Sequence, residues 1–261
     1  MIVIKFGGHA MSDKNGDFAQ TVKTAISKGV EIVIVHGGGP QIDKGLEQAG
    51  ITSEFVGGFR KTTPEIFAVV ESVLVEQVGP SVAHHLQSAG VGAQAMSGRR
   101  GHTLVAKKLN TLVNGESADL GLVGDVTNVH LETIHQILSE GKIPVIAPIA
   151  SSEDGDTGFN VNADLAAAAI SGALDATALI IMTDVEGIYR NWPETDSLIS
   201  DISASELSSI KSTFSDGMAP KVQAALDAIA KGSKAVRIID GTKPSALADA
   251  LEHHGGTLVR A

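Results

Sequence analysis

Apolar residues come along this chain in short unbroken runs: Ile2-Val3-Ile4, Ile32 to Val35, Ile143 to Ala147, Ala178 to Met182 and Ala235 to Ile239. Runs of that length without polar alternation predict strands buried on both faces, the state of parallel strands covered by helices above and below. Helical spacing fills the intervals. Phe18, Val22 and Ile26 predict a helix ended by Gly29, and Gly39 to Ala49 a short one stopped by Gly50. Ile66, Phe67, Val69, Val70, Val73, Leu74 and Val78 form the broad apolar face of a long helix. Thr62 or Thr63 caps it, with Pro64 in its first turn and Glu65 three after Thr62. Gly79-Pro80 is expected to kink or break this helix, because proline lacks an amide hydrogen and crowds the preceding turn. Further helices are predicted at Leu131 to Glu140, from Asn160-Val161-Asn162-Ala163-Asp164 to near Gly172, at Ala204 to Lys211 and at Lys221 to Ala230, before a final helix and strand.

Two stretches fall outside this alternation. Ser53 to Lys61 has the chemistry of a loop, and from about Val91 to Val129 short apolar runs alternate with Gly, Asn and Asp, as in hairpins forming a lid or rim. The whole is an α/β chain with two lobes sharing a sheet.

Composition narrows the chemistry. Of 261 residues 43% are hydrophobic but only 3% aromatic, so the core is aliphatic. A net charge of −10 lacks the basic stripe that nucleic acid or an anionic membrane requires, so an anionic substrate needs local positive charge. Without cysteine there is neither a disulfide framework nor a thiolate metal site. No basic leader precedes Ile2 and no run reads as membrane-spanning, so a cytoplasmic protein is expected.

The candidate chemistry lies where strands run out. Lys5-Phe6-Gly7-Gly8 ends the first, His36-Gly37-Gly38-Gly39 the second, and Gly217-Met218-Ala219-Pro220-Lys221 stands far downstream. Bare glycine amides approach phosphate oxygens closely, and lysines supply mobile positive charge, so the trio points to phosphoryl transfer. Other readings compete. His36-Gly37-Gly38-Gly39 resembles an esterase oxyanion loop, but there is no Gly-x-Ser-x-Gly nucleophile. Gly90-Val91-Gly92-Ala93-Gln94-Ala95 matches a dinucleotide fingerprint formally, yet follows a helix and reads as a helix-ending turn. A Walker A sequence is absent, so the phosphate cradle is of another type. His84-His85 and His253-His254 are adjacent and diverge by about 100° on a helix, which does not suit a shared metal. Asp164 alone could simply favour a helix N-terminus that Asn162 caps.

Six motifs in order resemble those of the amino acid kinase superfamily, and within it the branch that phosphorylates N-acetylglutamate: Lys5 to Gly8, His36 to Pro40, Gly58 to Thr62, Asn160 to Asp164, Thr183 to Gly187 and Gly217 to Lys221. The resemblance spans nearly the whole chain. It implies a three-layer αβα sandwich with a mainly parallel open sheet. The N-terminal lobe, 1–175, binds the acyl amino acid and dimerises; the C-terminal lobe, 176–261, holds ATP with Mg²⁺. By resemblance Lys5 and Lys221 neutralise the transferring phosphoryl group, with glycine amides around Gly8 and Gly38; Gly7 and Gly8 bind phosphate, and Asp164 orients the lysines. Gly38, Gly39, Arg60 and Asn160 grip the acceptor. Thr183, Asp184, Val185, Glu186, Gly187, Ile188 and Tyr189, with Ser215, Asp216, Gly217 and Met218, line the nucleotide pocket. Asp184 is also a candidate partner for Lys221. Phosphates and water hold most of the metal, so no protein metal ligands are assigned.

The implied acceptor is the γ-carboxylate of N-acetyl-L-glutamate, in arginine biosynthesis. It is ionised at neutral pH and needs no general base. Two rivals remain: an aminoadipate or glutamate kinase acting on a substrate carried by a small acidic protein, and a non-catalytic sensor on the same scaffold. Arginine-inhibited relatives carry an extra N-terminal helix that links dimers into a hexamer. This sequence opens at its first strand, so an arginine-insensitive homodimer joined through the long helix is expected.

Overall fold

The structure is a computed structural model describing residues 1–11, 16–112, 115–214 and 218–261, without the side chains of residues 9, 10 and 220. Eight strands form the main sheet: β1 (Ile2–Phe6), β2 (Ile32–His36), β3 (Ala93–Ser97), β4 (Ile143–Ala147), β5 (Ala178–Thr183), β6 (Asp201–Ser203), β7 (Ala235–Asp240) and β8 (Thr257–Arg260). Their order is β6-β8-β7-β5-β1-β2-β4-β3, and every neighbouring pair is parallel except β7 with β8. β1 is followed in sequence by β2 on one side and flanked by β5 on the other. Crevices for ligands in open parallel sheets lie at such a switch of direction, beyond the carboxyl ends of the strands.

The helices are α1 (Asp17–Ser27), α2 (Gly39–Gln48), α3 (Pro64–Ser88), α4 (Glu132–Ser139), α5 (Ala163–Ala173), α6 (Ala204–Ile210), α7 (Met218–Ala230) and α8 (Ala246–Leu251). Alternation along each strand divides the core into two layers. Ile4, Phe6, Ile32 and Ile34 pack with α1, α2, α3 and α8, while Val3, Val33, Val35 and Ile181 pack with α5, α6 and α7. The three-layer sandwich is therefore built as expected. Ala166 to Ala169 are all buried, and their small side chains let α5 lie close against the sheet.

Five local expectations change. α3 runs through Gly79-Pro80 without breaking: Val73–Val78 takes a π turn in which the Gly79 amide donates to the Leu74 carbonyl, and Val78 and Gly79 keep right-handed helical angles. The wider turn accommodates a proline whose missing donor an α turn would need. α3 is also long and apolar enough by composition to cross a membrane, contrary to the expectation that no run is. Its apolar residues Ile66, Phe67, Val70, Leu74, Val78 and Leu86 are instead buried in the protein core. Ser53 to Lys61 is not plain loop but holds a short hairpin, Phe55–Val56 with Phe59–Arg60, turned by Gly57 and Gly58 at φ 56° and 84°. Ala93–Ser97 is a parallel edge strand rather than part of a hairpin, with Gly90 ending α3's turn at φ 83°. The inserted hairpin is Leu104–Lys108 with Gly124–Val129, in a second sheet with Ile149–Ser151 and Gly158–Asn160. In α1, Ile26 faces outward, and Ala19 and Ala25 join Phe18 and Val22 on the buried side.

Candidate active site

Alternation along β1 sends Lys5 to the same face as Val3, toward α5. Its Nζ stands 3.0 Å from Asp164 Oδ1 and 3.5 Å from the Met182 carbonyl oxygen, with the two side chains only 12% and 9% exposed. Asn162 caps α5, its Oδ1 accepting from the amides of Asp164 at 2.8 Å and Leu165 at 3.3 Å. That cap leaves the Asp164 carboxylate free of helix-end duty, and its buried Oδ1, without a hydrogen-bond partner among the described residues, forms an ion pair with the lysine.

Glycines make room for this pair. A Cβ at Gly7 would stand 3.0 Å from Lys5 Cε and 3.1 Å from Nζ, so the lysine lies directly across Gly7. The parallel register of Phe6 with His36 then sets Gly7 beside Gly37, whose amide donates to the Phe6 carbonyl at 2.7 Å. Gly38 has φ 156°, and a Cβ there would meet Leu74 Cδ2 at 2.5 Å. It precedes α2, whose first turn has no side-chain cap and begins just past the carboxyl end of β2. Gly8, at φ 63°, borders open space.

His36 is fully buried, and burial lowers its pKa to about 4, with the bond from Nδ1 to the Gly37 carbonyl acting in the opposite direction. It is a neutral imidazole at physiological pH.

Arg60 is also buried. Its Nη2 pairs with Asp43 Oδ1 of α2 at 2.6 Å, its Nη1 donates to Ser53 Oγ at 2.5 Å, and its guanidinium stacks 4.6 Å from the centre of the Phe55 ring. Asp43 is 60% exposed on its side chain, so the cluster opens to solvent there. Thr62 joins two of the sequence motifs: its hydroxyl donates to the Arg60 carbonyl at 2.7 Å and accepts from Asn160 Nδ2 at 3.1 Å. Thr63, not Thr62, caps α3.

On the other side of β1, Thr183 ends β5 and donates to Asp184 Oδ1 at 3.1 Å. Glu186 forms an ion pair with Lys243 and accepts from Tyr189 Oη at 3.5 Å. Burial and then the Glu186 charge raise the Tyr189 pKa. Val185 is half-buried. Gly187 and Ile188 serve the fold: a Cβ on Gly187 would strike Thr257, and Ile188 is buried in the core with its amide bound to Thr257 Oγ1 at 2.7 Å. Ser215, Asp216 and Gly217 lie outside the described residues. Met218 opens α7, with Lys221 in its first turn. α5 and α7 pack along each other, and Gly172 near the end of α5 abuts Lys231 just past the end of α7. Helices whose last turns meet in this way run side by side in one direction. Asp164 and Lys221 therefore stand at the same end of the pair, the end that faces Lys5.

Spacing alone did not reveal Asp43, Ser53, Phe55 or Thr62, because each acquires its role through a tertiary contact. Only the helical offset of Asp43 from the glycine loop placed it on α2.

Residues 1–240 match the model of the amino acid kinase family. The chain belongs to that family. An acetylglutamate kinase of Streptomyces coelicolor is 42% identical over 92% of this chain and 79% of its own length, and one of Arthrobacter sp. is 46% identical over 94% and 82%. Within the family the chain therefore groups with the acetylglutamate kinases, as an ATP-dependent phosphotransferase. The crystal structure of smu.665 from Streptococcus mutans superposes with a TM-score of 0.83 at 32% identity, covering all of this chain and 98% of that one. Amino acid kinases share the αβα sandwich found here.

Proposed function

We propose that the chain transfers the γ-phosphate of ATP to the γ-carboxylate of N-acetyl-L-glutamate, giving N-acetylglutamyl 5-phosphate in arginine biosynthesis. The observation that carries this reading is the buried Lys5–Asp164 pair laid across Gly7, beside the open amides that begin α2. A carboxylate attacking a phosphoryl group brings two anions together, so the work is alignment and charge neutralisation. Lys5 supplies that charge from β1 and Lys221 from α7. Asp164 holds Lys5 in place and takes no proton. The amides of Gly8 and Gly38 face the transferring group.

Arg60 binds the α-carboxylate of the acceptor. Asp43 and Ser53 engage one hydrogen on each terminal nitrogen, and the remaining N–H groups form a fork. The amides of Gly38 and Gly39, with Asn160, complete the acceptor site. Thr183, Asp184, Val185, Glu186, Tyr189 and Met218 border the nucleotide. The lobes divide at 1–175 and 176–261, across the β1–β5 pair. Mg²⁺ arrives on the phosphates of ATP, which with water hold most of it. Bound there, it would neutralise the phosphate oxygens. We place the enzyme in the cytoplasm as a homodimer that uses neither nucleic acid nor membrane as a partner.

The test is ADP release with MgATP and N-acetylglutamate against N-acetylaspartate and free glutamate. Rapid turnover of N-acetylglutamate alone is expected; equal or greater turnover of another acceptor rejects the assignment.

A further inference from the structure

His36 is a polar motif residue to which the reaction gives no task, and its surroundings are unusual. The imidazole is fully buried and its Nδ1 lies 2.7 Å from the Gly37 carbonyl oxygen. A carbonyl can only accept, so Nδ1 carries the hydrogen. That leaves Nε2 bare, and it has no partner among the described residues. It abuts Gly79 on α3, where a Cβ would come within 3.1 Å. A buried ring nitrogen without a partner is a cost that packing alone does not explain, since an apolar side chain of the same size would avoid it.

The peptide that His36 grips joins Gly37 to Gly38, and it is trans, the cis bond among the described residues being Trp192-Pro193. In a trans peptide the carbonyl and the amide hydrogen point in opposite directions. Fixing the Gly37 carbonyl inward therefore fixes the Gly38 N–H outward, and that amide donates to no backbone carbonyl among the described residues. Glycines on both sides of this peptide allow it to rotate easily, so without a hold the amide could turn away.

We infer that His36 is a positioning residue for phosphoryl transfer: as an Nδ1–H donor it locks the Gly37–Gly38 peptide so that the Gly38 amide faces the transferring group. This rests on the reaction proposed above. It assigns His36 no contact with either substrate.

Asparagine places its side-chain nitrogen where Nδ1 stands, glutamine places its own nearer Nε2, and leucine offers no donor. His36→Asn is expected to keep kcat within about fivefold of wild type. His36→Gln and His36→Leu should each lose about thirtyfold or more, the loss that follows a misdirected oxyanion donor. KM for ATP should move by less than about threefold, because the amide acts on charge that develops during transfer. Urea unfolding of each variant separates this from loss of fold. Nitrogen-15 NMR of the wild-type ring should show Nδ1 protonated and Nε2 bare at pH 7. A folded His36→Leu with wild-type kcat overturns the inference. So does rescue by Gln equal to that by Asn, or the opposite tautomer. Failure of wild type to phosphorylate N-acetylglutamate rejects the parent reading instead, and the tautomer and unfolding data still report on His36.

Discussion

At the scale of single residues, Lys5, Lys221, Arg60 and His36 carry testable consequences. Lys5→Ala should lower kcat at least about a hundredfold, as should Lys221→Ala, because each removes a preorganised charge from the transferring group. Removing Lys5 also strands the buried Asp164 carboxylate. The double variant Lys5→Ala with Asp164→Asn should recover stability without recovering rate, and recovery of rate would show that Lys5 serves only the fold. Arg60→Lys should raise KM for N-acetylglutamate much more than KM for ATP, since lysine cannot reproduce a fork held by Asp43, Ser53 and Phe55. Steady-state kinetics decide this, and a defect confined to ATP contradicts it. His36 gives a pH effect of definite sign. Its folded pKa is about 4 against an ordinary 6.5, so the unfolded chain binds a proton that the folded one refuses. The associated stability is fully present above pH 6.5, declines as pH falls and levels off below about 4, a loss of roughly 3 kcal/mol. Urea titrations at pH 7 and pH 4.5 should show His36→Asn losing less stability than wild type over that interval.

Elements show why part of the site could be read from the sequence and part could not. β1, β2 and β5 were legible because unbroken apolar runs end in glycines or polar residues, and a parallel register then brings Gly7, Gly37 and Thr183 to one edge without further instruction. Asn162 and Asp164 were legible as a helix start that Asn162 caps, and the structure gives the cap to Asn162 and sets the Asp164 carboxylate beside Lys5. By contrast, Pro80 reads as a break because local rules know only the α turn, whereas the π turn from Val73 to Val78 is sustained by core packing on both sides. The Arg60 cluster spans α2, the segment before the hairpin and the hairpin itself, so no local window contains it. The parallel pairing of α5 with α7 belongs to the same class and can be tested. Gly172→Ala would place a Cβ 2.5 Å from Lys231 Cβ and 2.6 Å from its carbonyl oxygen. Pushing the helix ends apart should cost about 1–3 kcal/mol, read from the denaturant midpoint. An unchanged midpoint would mean that the two ends are not in firm contact.

For the whole molecule, the charge distribution separates the two kinase readings that share this fold. The chain carries −10 overall, and many of its exposed cations are already matched by carboxylates: Lys61 with Glu54, Lys108 with Asp119, Lys142 with Glu140 and Lys243 with Glu186. Lys107 in the inserted hairpin likewise faces Asp125, and Arg99 is held by Glu71, so of the neighbouring cations Arg99, Arg100, Lys107 and Lys108 three are matched by carboxylates. An acidic carrier protein docks through a positive field that extends over about a Debye length, which a net charge of −10 opposes. On the proposed reading a small anion needs only the charges of Lys5, Lys221 and Arg60, which act at contact and are little screened. Free N-acetylglutamate should therefore be turned over without any carrier, and the same acyl amino acid linked to an acidic carrier should be phosphorylated at least about tenfold less efficiently in kcat/KM at low salt. Because like charges repel over distance, raising ionic strength to about 0.15 M should narrow that gap. A carrier-linked substrate that outperforms the free one, or a gap that widens with salt, would favour the carrier-dependent kinase despite the acidic surface.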